Sequence, residues 1–168
     1  MILRCTGKLL KELRRQPEEI ESSSEAASWH ANLLIIERRK CVLFIHDPSY
    51  FSVFVAGLKR PDFDHIEQVF GEALFHSLRL AEFSQGQIES LLDSAQEMHV
   101  AKTNNRSLLG SMNDLTYQIN YFIEMEGGLA QVPEVKLMRL LNHRPRNAPG
   151  YPSSVESLHE WLSAQGAV

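Results

Sequence analysis

Cysteine is scarce in this chain of 168 residues, with Cys5 and Cys41 and no third. The two form no C-x-x-C pair, which removes the zinc-ribbon and dithiol redox patterns. Both sit in apolar, strand-like surroundings, where a free thiol behaves as a small hydrophobe. Metal motifs are missing as well. The seven histidines make no H-E-x-x-H and no H-x-H pair, so no metal and no cofactor is expected. No serine stands in a G-x-S-x-G elbow, which weakens any nucleophile role for Ser107 or Ser111. Apolar runs fall far short of the ~20 residues that a membrane helix needs. Met1-Ile2-Leu3-Arg4-Cys5-Thr6 places a charge where a secretory leader would need an unbroken apolar core. No membrane partner is expected, and the expected location is the cytoplasm.

An excess of positive charge is also absent. A net charge of -4 and a pI near 6.0 argue against a dedicated nucleic-acid binder, which carries a basic footprint. Two local basic clusters remain, Arg38-Arg39-Lys40 and the segment from Arg139 to Arg146. Neither comes with helix-turn-helix spacing, a zinc knuckle or an aromatic RNA-stacking motif, so nucleic acid is a weak candidate partner.

What is present suits one domain with its own core: 43% apolar and 23% charged residues. Residues 1–5 read as a short strand, and Thr6 is placed to cap a helix carrying Leu9, Leu10 and Leu13. Residues 16–27, acidic and serine-rich without period, read as a mobile surface loop. Trp29 to Glu37 and Cys41 to His46 are strands joined at Arg38-Arg39-Lys40. Leu33, Ile35, Val42 and Phe44 supply one face, and Leu34, Ile36, Leu43 and Ile45 the other, the mark of central strands. A third strand follows at Tyr50 to Val55. Asp62 is expected to cap a long helix bearing Phe63, Ile66, Phe70, Leu74 and Leu78. Ser84 with Gln87 and Ser153 with Glu156 are capping boxes for two further helices. Met98 to Lys102 is a return strand. Leu108, Met112, Leu115, Ile119 and Phe122 mark a buried helix face from about Ser107 to Glu126, ended by Gly127-Gly128. The expected class is α+β: an antiparallel sheet of four or five strands packed by about three main helices. Residues 1–128 would form that domain. Residues 129–168 would form a C-terminal helical arm, folded onto the domain or onto a second copy as a homo-dimer contact.

Three stretches, Arg4-Cys5-Thr6-x-Lys8-Leu9, Trp29-His30-Ala31-Asn32-Leu33 and Thr103-Asn104-Asn105-Arg106-Ser107-x-Leu109-Gly110-Ser111-Met112-Asn113-Asp114, together carry a family likeness. The chain resembles, over roughly residues 1 to 126, an uncharacterised bacterial domain family of unknown function. The resemblance implies a small cytoplasmic bacterial protein and brings no activity with it.

The polar turn at residues 103–114 is the candidate site. Asn104 or Asn105 can cap the helix that follows. Exposed N–H groups at such a start attract anions, and Arg106 adds a bidentate donor for phosphate or carboxylate. Asn113 and Asp114 would orient the ligand. His30 would join if its strand lay beside the turn. The competing reading makes all of these caps and satisfied core contacts. The expected function is a non-enzymatic binding or interaction module for an anionic small molecule or a protein partner. The alternative is a small hydrolase or nuclease-like enzyme using Asp114, His30 and Arg106, which requires an acid–base pair within about 3 Å.

Overall fold

The computed structural model describes residues 1–20, 28–145 and 150–166. Five strands form one sheet: β1 (Ile2–Cys5), β2 (Ser28–Ile36), β3 (Arg39–His46), β4 (Ser52–Leu58) and β5 (His99–Lys102), in the order β4-β3-β2-β1-β5. The class is α+β and the sheet is mixed. β2, β3 and β4 make an antiparallel meander, while β1 runs parallel to both of its neighbours, β2 and β5. Parallel pairs need crossovers. Here α1 (Gly7–Leu13) lies between β1 and β2, and the helices after β4 precede the return to β5.

The period-two pattern divides the core into two layers, one on each face of the sheet. Leu3, Cys5, Trp29, Ala31, Val42, Phe44 and Val53 face α1, α2 (Arg60–Asp64), α3 (Ile66–Leu80) and α4 (Gln85–Ala95). Leu34, Ile36, Cys41, Leu43 and Ile45 face α5 (Arg106–Met125) and α6 (Glu134–Asn142). The two-faced reading of β2 and β3 therefore holds, with one exception. Ile35 is 62% exposed, because it lies at the hairpin end of β2, away from the helices.

Local chemistry explains where the elements begin and end. The β2–β3 hairpin turns at Glu37 and Arg38, whose φ values of 47° and 64° give the twist that such hairpins require without using glycine. Thr6 occupies the N-cap of α1, but its hydroxyl donates to Asn32 Oδ1 at 2.9 Å rather than capping the helix. The long helix expected from Asp62 is broken at His65 (φ -120°, ψ 40°) into α2 and α3, with Lys59 in the cap position and Asp62 Oδ2 accepting from its N–H at 2.6 Å. Both capping boxes form as read, at Ser84 with Gln87 and at Ser153 with Glu156. Gly127, at φ 88°, follows the last turn of α5.

After a 3-10 turn at Leu129–Gln131, α6 packs on the α5 side through Leu137, Leu140 and Leu141 and sends Met138 round the β4 edge into the other core. The last helix, α7 (Ser154–Ala164), inserts Val155, Leu158 and Leu162 into the other core, where Trp161 meets the His46 ring edge-on at 4.7 Å. Residues 17–20 run along the outer edge of β5, and Glu18 N–H donates to the Val100 carbonyl at 2.7 Å. The rest of the expected mobile loop, 21–27, lies outside the described residues. Among the described residues no helix is long and apolar enough to cross a membrane.

Candidate functional site

β1 is four residues long, and alternation sends Leu3 and Cys5 to one face and Arg4 to the other. Its place between β2 and β5 buries that arginine. Arg4 stands in register with His30 on β2 and Ala101 on β5 and is 6% exposed. No described residue gives it a hydrogen bond or an ion pair. The residue is buried, but its guanidinium nitrogens are not sealed from solvent. Arg4 opens instead on a cavity of about 640 Å³, walled by residues 17–20 on one side and by Ala101 to Asn104 on the other. Lys102 also lines it, but stands in register with Cys5 and so on the opposite face of β5 from Ala101 and Arg4. Of the acidic groups on the wall, Glu18 is engaged by His99 Nδ1 at 2.9 Å, and Glu19 is exposed.

The six residues read from the sequence are dispersed around this centre. Asn104 lines the Arg4 cavity. Asn105 is the N-cap of α5, its Oδ1 accepting from Ser107 N–H at 3.0 Å and Leu108 N–H at 3.1 Å. The first turn of α5 is thus served by the protein's own amide, not left open for an anion. Arg106 and Asn113 are exposed on α5. Asp114 is exposed as well and lines a different cavity of about 380 Å³, beside Ser107, Ser111 and Arg144. His30 is fully buried and does not reach the turn, because β1 lies between β2 and β5. Its Nδ1–H donates to Asp47 Oδ1 at 2.7 Å, while its Nε2 is sealed from solvent without a partner.

The neighbouring histidine behaves differently. His46 Nδ1 and Ser49 Oγ are 2.8 Å apart across the turn, and burial pushes the His46 imidazole down to about 4, opposed by the charge of Asp47. The two cysteines are free and buried, and burial pushes the Cys5 thiol up to about 12. That makes it unreactive as a nucleophile at neutral pH. Among the described residues no three His, Cys, Asp or Glu side chains gather as metal ligands do.

Arg4 stands in the first sequence motif, where no role is legible for it. The usable signal was a lone charge inside a very short apolar strand. What gave it meaning, the two flanking parallel strands, comes from topology.

Fold and site together define an α+β protein whose mixed sheet presents an unpaired arginine to a cavity of small-molecule size. A family model for a domain of unknown function, DUF6933, matches residues 2–157, and the chain belongs to that family. The match runs well past residue 126 and takes in α6 and the start of α7. No curated protein and no solved structure matches the chain.

Proposed function

We propose that this protein is a non-enzymatic binding module for an anionic small molecule, held over β1 and β5 by Arg4 with Asn104 at the rim. One observation carries the reading: Arg4 is 6% exposed, without a described partner, and lines a cavity. A carboxylate or phosphate of the ligand would supply the missing counter-charge through two parallel N–H···O bonds, the geometry for which arginine is suited. The volume, about 640 Å³, lies in the range of small-molecule sites. The enzymatic alternative is less well supported. Its acid–base pair must meet within about 3 Å, whereas His30 is sealed in the sheet and Asp114 and Arg106 are exposed on α5. A bacterial origin and a cytoplasmic location belong to the same proposal and rest on the motif resemblance.

Calorimetric titration with inorganic phosphate and with citrate tests it. Saturable binding is expected for the native chain and is lost in Arg4→Met, at the scale of a charge-assisted contact. Equal binding by Arg4→Met and the native chain, or none by either, would overturn the proposal.

A further inference from the structure

The cavity of about 380 Å³ beside α5 shares no lining residue with the Arg4 cavity. Its polar wall comes from α5, where Ser107, Ser111, Asp114 and Gln118 recur at spacings of four and three and so fall along one side of the helix. Leu140 and Leu141 of α6 give it an apolar base, both of them buried in the core beneath. Arg144, two residues past the end of α6, completes it.

Among the described residues of this lining, Asp114 and Arg144 are the only charged ones. They belong to different segments of the chain and do not pair with each other, and no described residue gives either a hydrogen bond or an ion pair. The amide of Gln118 is without a described partner too. Opposite charges that served the fold would satisfy one another across the cavity. Unpaired, they suit a molecule that carries both signs. A simple anion is drawn by Arg144 and repelled by Asp114, and a simple cation meets the reverse. A zwitterion is attracted by both.

We propose that this cavity binds a free amino acid with an apolar side chain, its carboxylate on Arg144, its ammonium on Asp114 and its side chain against Leu140 and Leu141. The guanidinium fork matches a carboxylate with two parallel bonds. The Ser111 hydroxyl donates to the Ser107 carbonyl at 3.3 Å, which leaves its oxygen as an acceptor for an ammonium proton. The volume lies at the small end of ligand sites and suits one amino acid rather than a longer peptide. This site does not depend on the Arg4 reading.

The probe is L-leucine, titrated into the full chain by calorimetry and followed by amide shifts of the ¹⁵N-labelled protein. Saturable binding is expected, with shifts centred on Ser111, Asp114 and Arg144. Isocaproate, which lacks the ammonium, and isoamylamine, which lacks the carboxylate, should each bind about tenfold more weakly or worse, the scale of one charge-assisted contact. Asp114→Asn and Arg144→Gln should weaken leucine to the same degree. Both positions are exposed, so the variants remain folded, as circular dichroism will verify. Arg4→Met should bind leucine as the native chain does. Absence of saturation, shifts confined to another surface, or affinity unchanged in both Asp114→Asn and Arg144→Gln would overturn the proposal. Isocaproate binding as tightly as leucine would overturn it too, since the cavity would then hold a simple anion. So would loss of leucine binding in Arg4→Met, which would move the ligand to the other cavity.

Discussion

His46 shows how a single buried side chain sets a pH dependence. Its ring lies between Trp29 and Trp161, with centroids 5.0 Å and 4.7 Å away. Burial holds its folded-state value near 4, below the ordinary 6.5. The neutral ring is therefore favoured by folding. The associated stability is complete above pH 6.5 and is lost as pH falls towards 4, because unfolding then takes up a proton. The shift is worth about 3 kcal/mol. Urea unfolding at pH 7 and pH 4.5 should show the native chain losing about 2 kcal/mol more than His46→Phe over that interval. Equal losses would mean that the imidazole is charged in the folded state. At this scale the sequence was partly legible. His46 and Ser49 are three residues apart, so their contact is local, whereas the pairing of His30 with Asp47 depends on where β2 ends against β3. The same holds for Arg4, whose burial follows from strands distant in sequence.

Among the elements, α5 was the most legible. Its apolar positions at spacings of four and three, its Asn105 cap and its Gly127 stop are all local signals, and all appear in the structure. The identity of the cap decides what the motif at residues 103–114 does. Asn105→Ala should cost about 1 kcal/mol, read as a fall of about 3 °C in the melting temperature. Arg106→Ala and Asp114→Ala, at exposed positions, should stay within about 0.5 kcal/mol of the native chain. Losses of 2 kcal/mol or so at those two positions would show contacts that their exposure contradicts. The break between α2 and α3 at His65 was not legible. Phe63, Ile66 and Phe70 keep a helical spacing across it, and all three are buried in one core, so the apolar pattern carries no trace of the kink.

At the scale of the whole molecule, the sheet divides the protein into two cores that share β2 and β3. α6 and α7 close them, α6 against Leu129 and the α5 side and α7 against Phe83 and Trp29's neighbours on the other side. In sequence this stretch reads as a helical arm folded onto the domain or onto a second copy, and its proline-rich spacing hides which core receives each helix. Asn142 links α6 to the sheet edge across 90 residues of sequence. Asn142→Ala should leave the buried Ser52 N–H and C=O unmet and cost about 3 kcal/mol in urea unfolding. A loss under 1 kcal/mol or so would show that water replaces the amide at no cost.

The most direct test of the whole account is the unfolding free energy of Arg4→Met against the native chain, each with and without inorganic phosphate. A guanidinium kept for a ligand contributes little to the stability of the empty fold. Without phosphate, the variant should therefore be as stable as the native chain or more so, within about 1 kcal/mol on the lower side. Added phosphate should stabilise the native chain alone, by the amount its occupancy dictates. A loss of about 3 kcal/mol in Arg4→Met without ligand, with phosphate acting equally on both proteins, would contradict the account. Arg4 would then be a structural side chain, and the cavity over β1 and β5 would have no claim to a ligand.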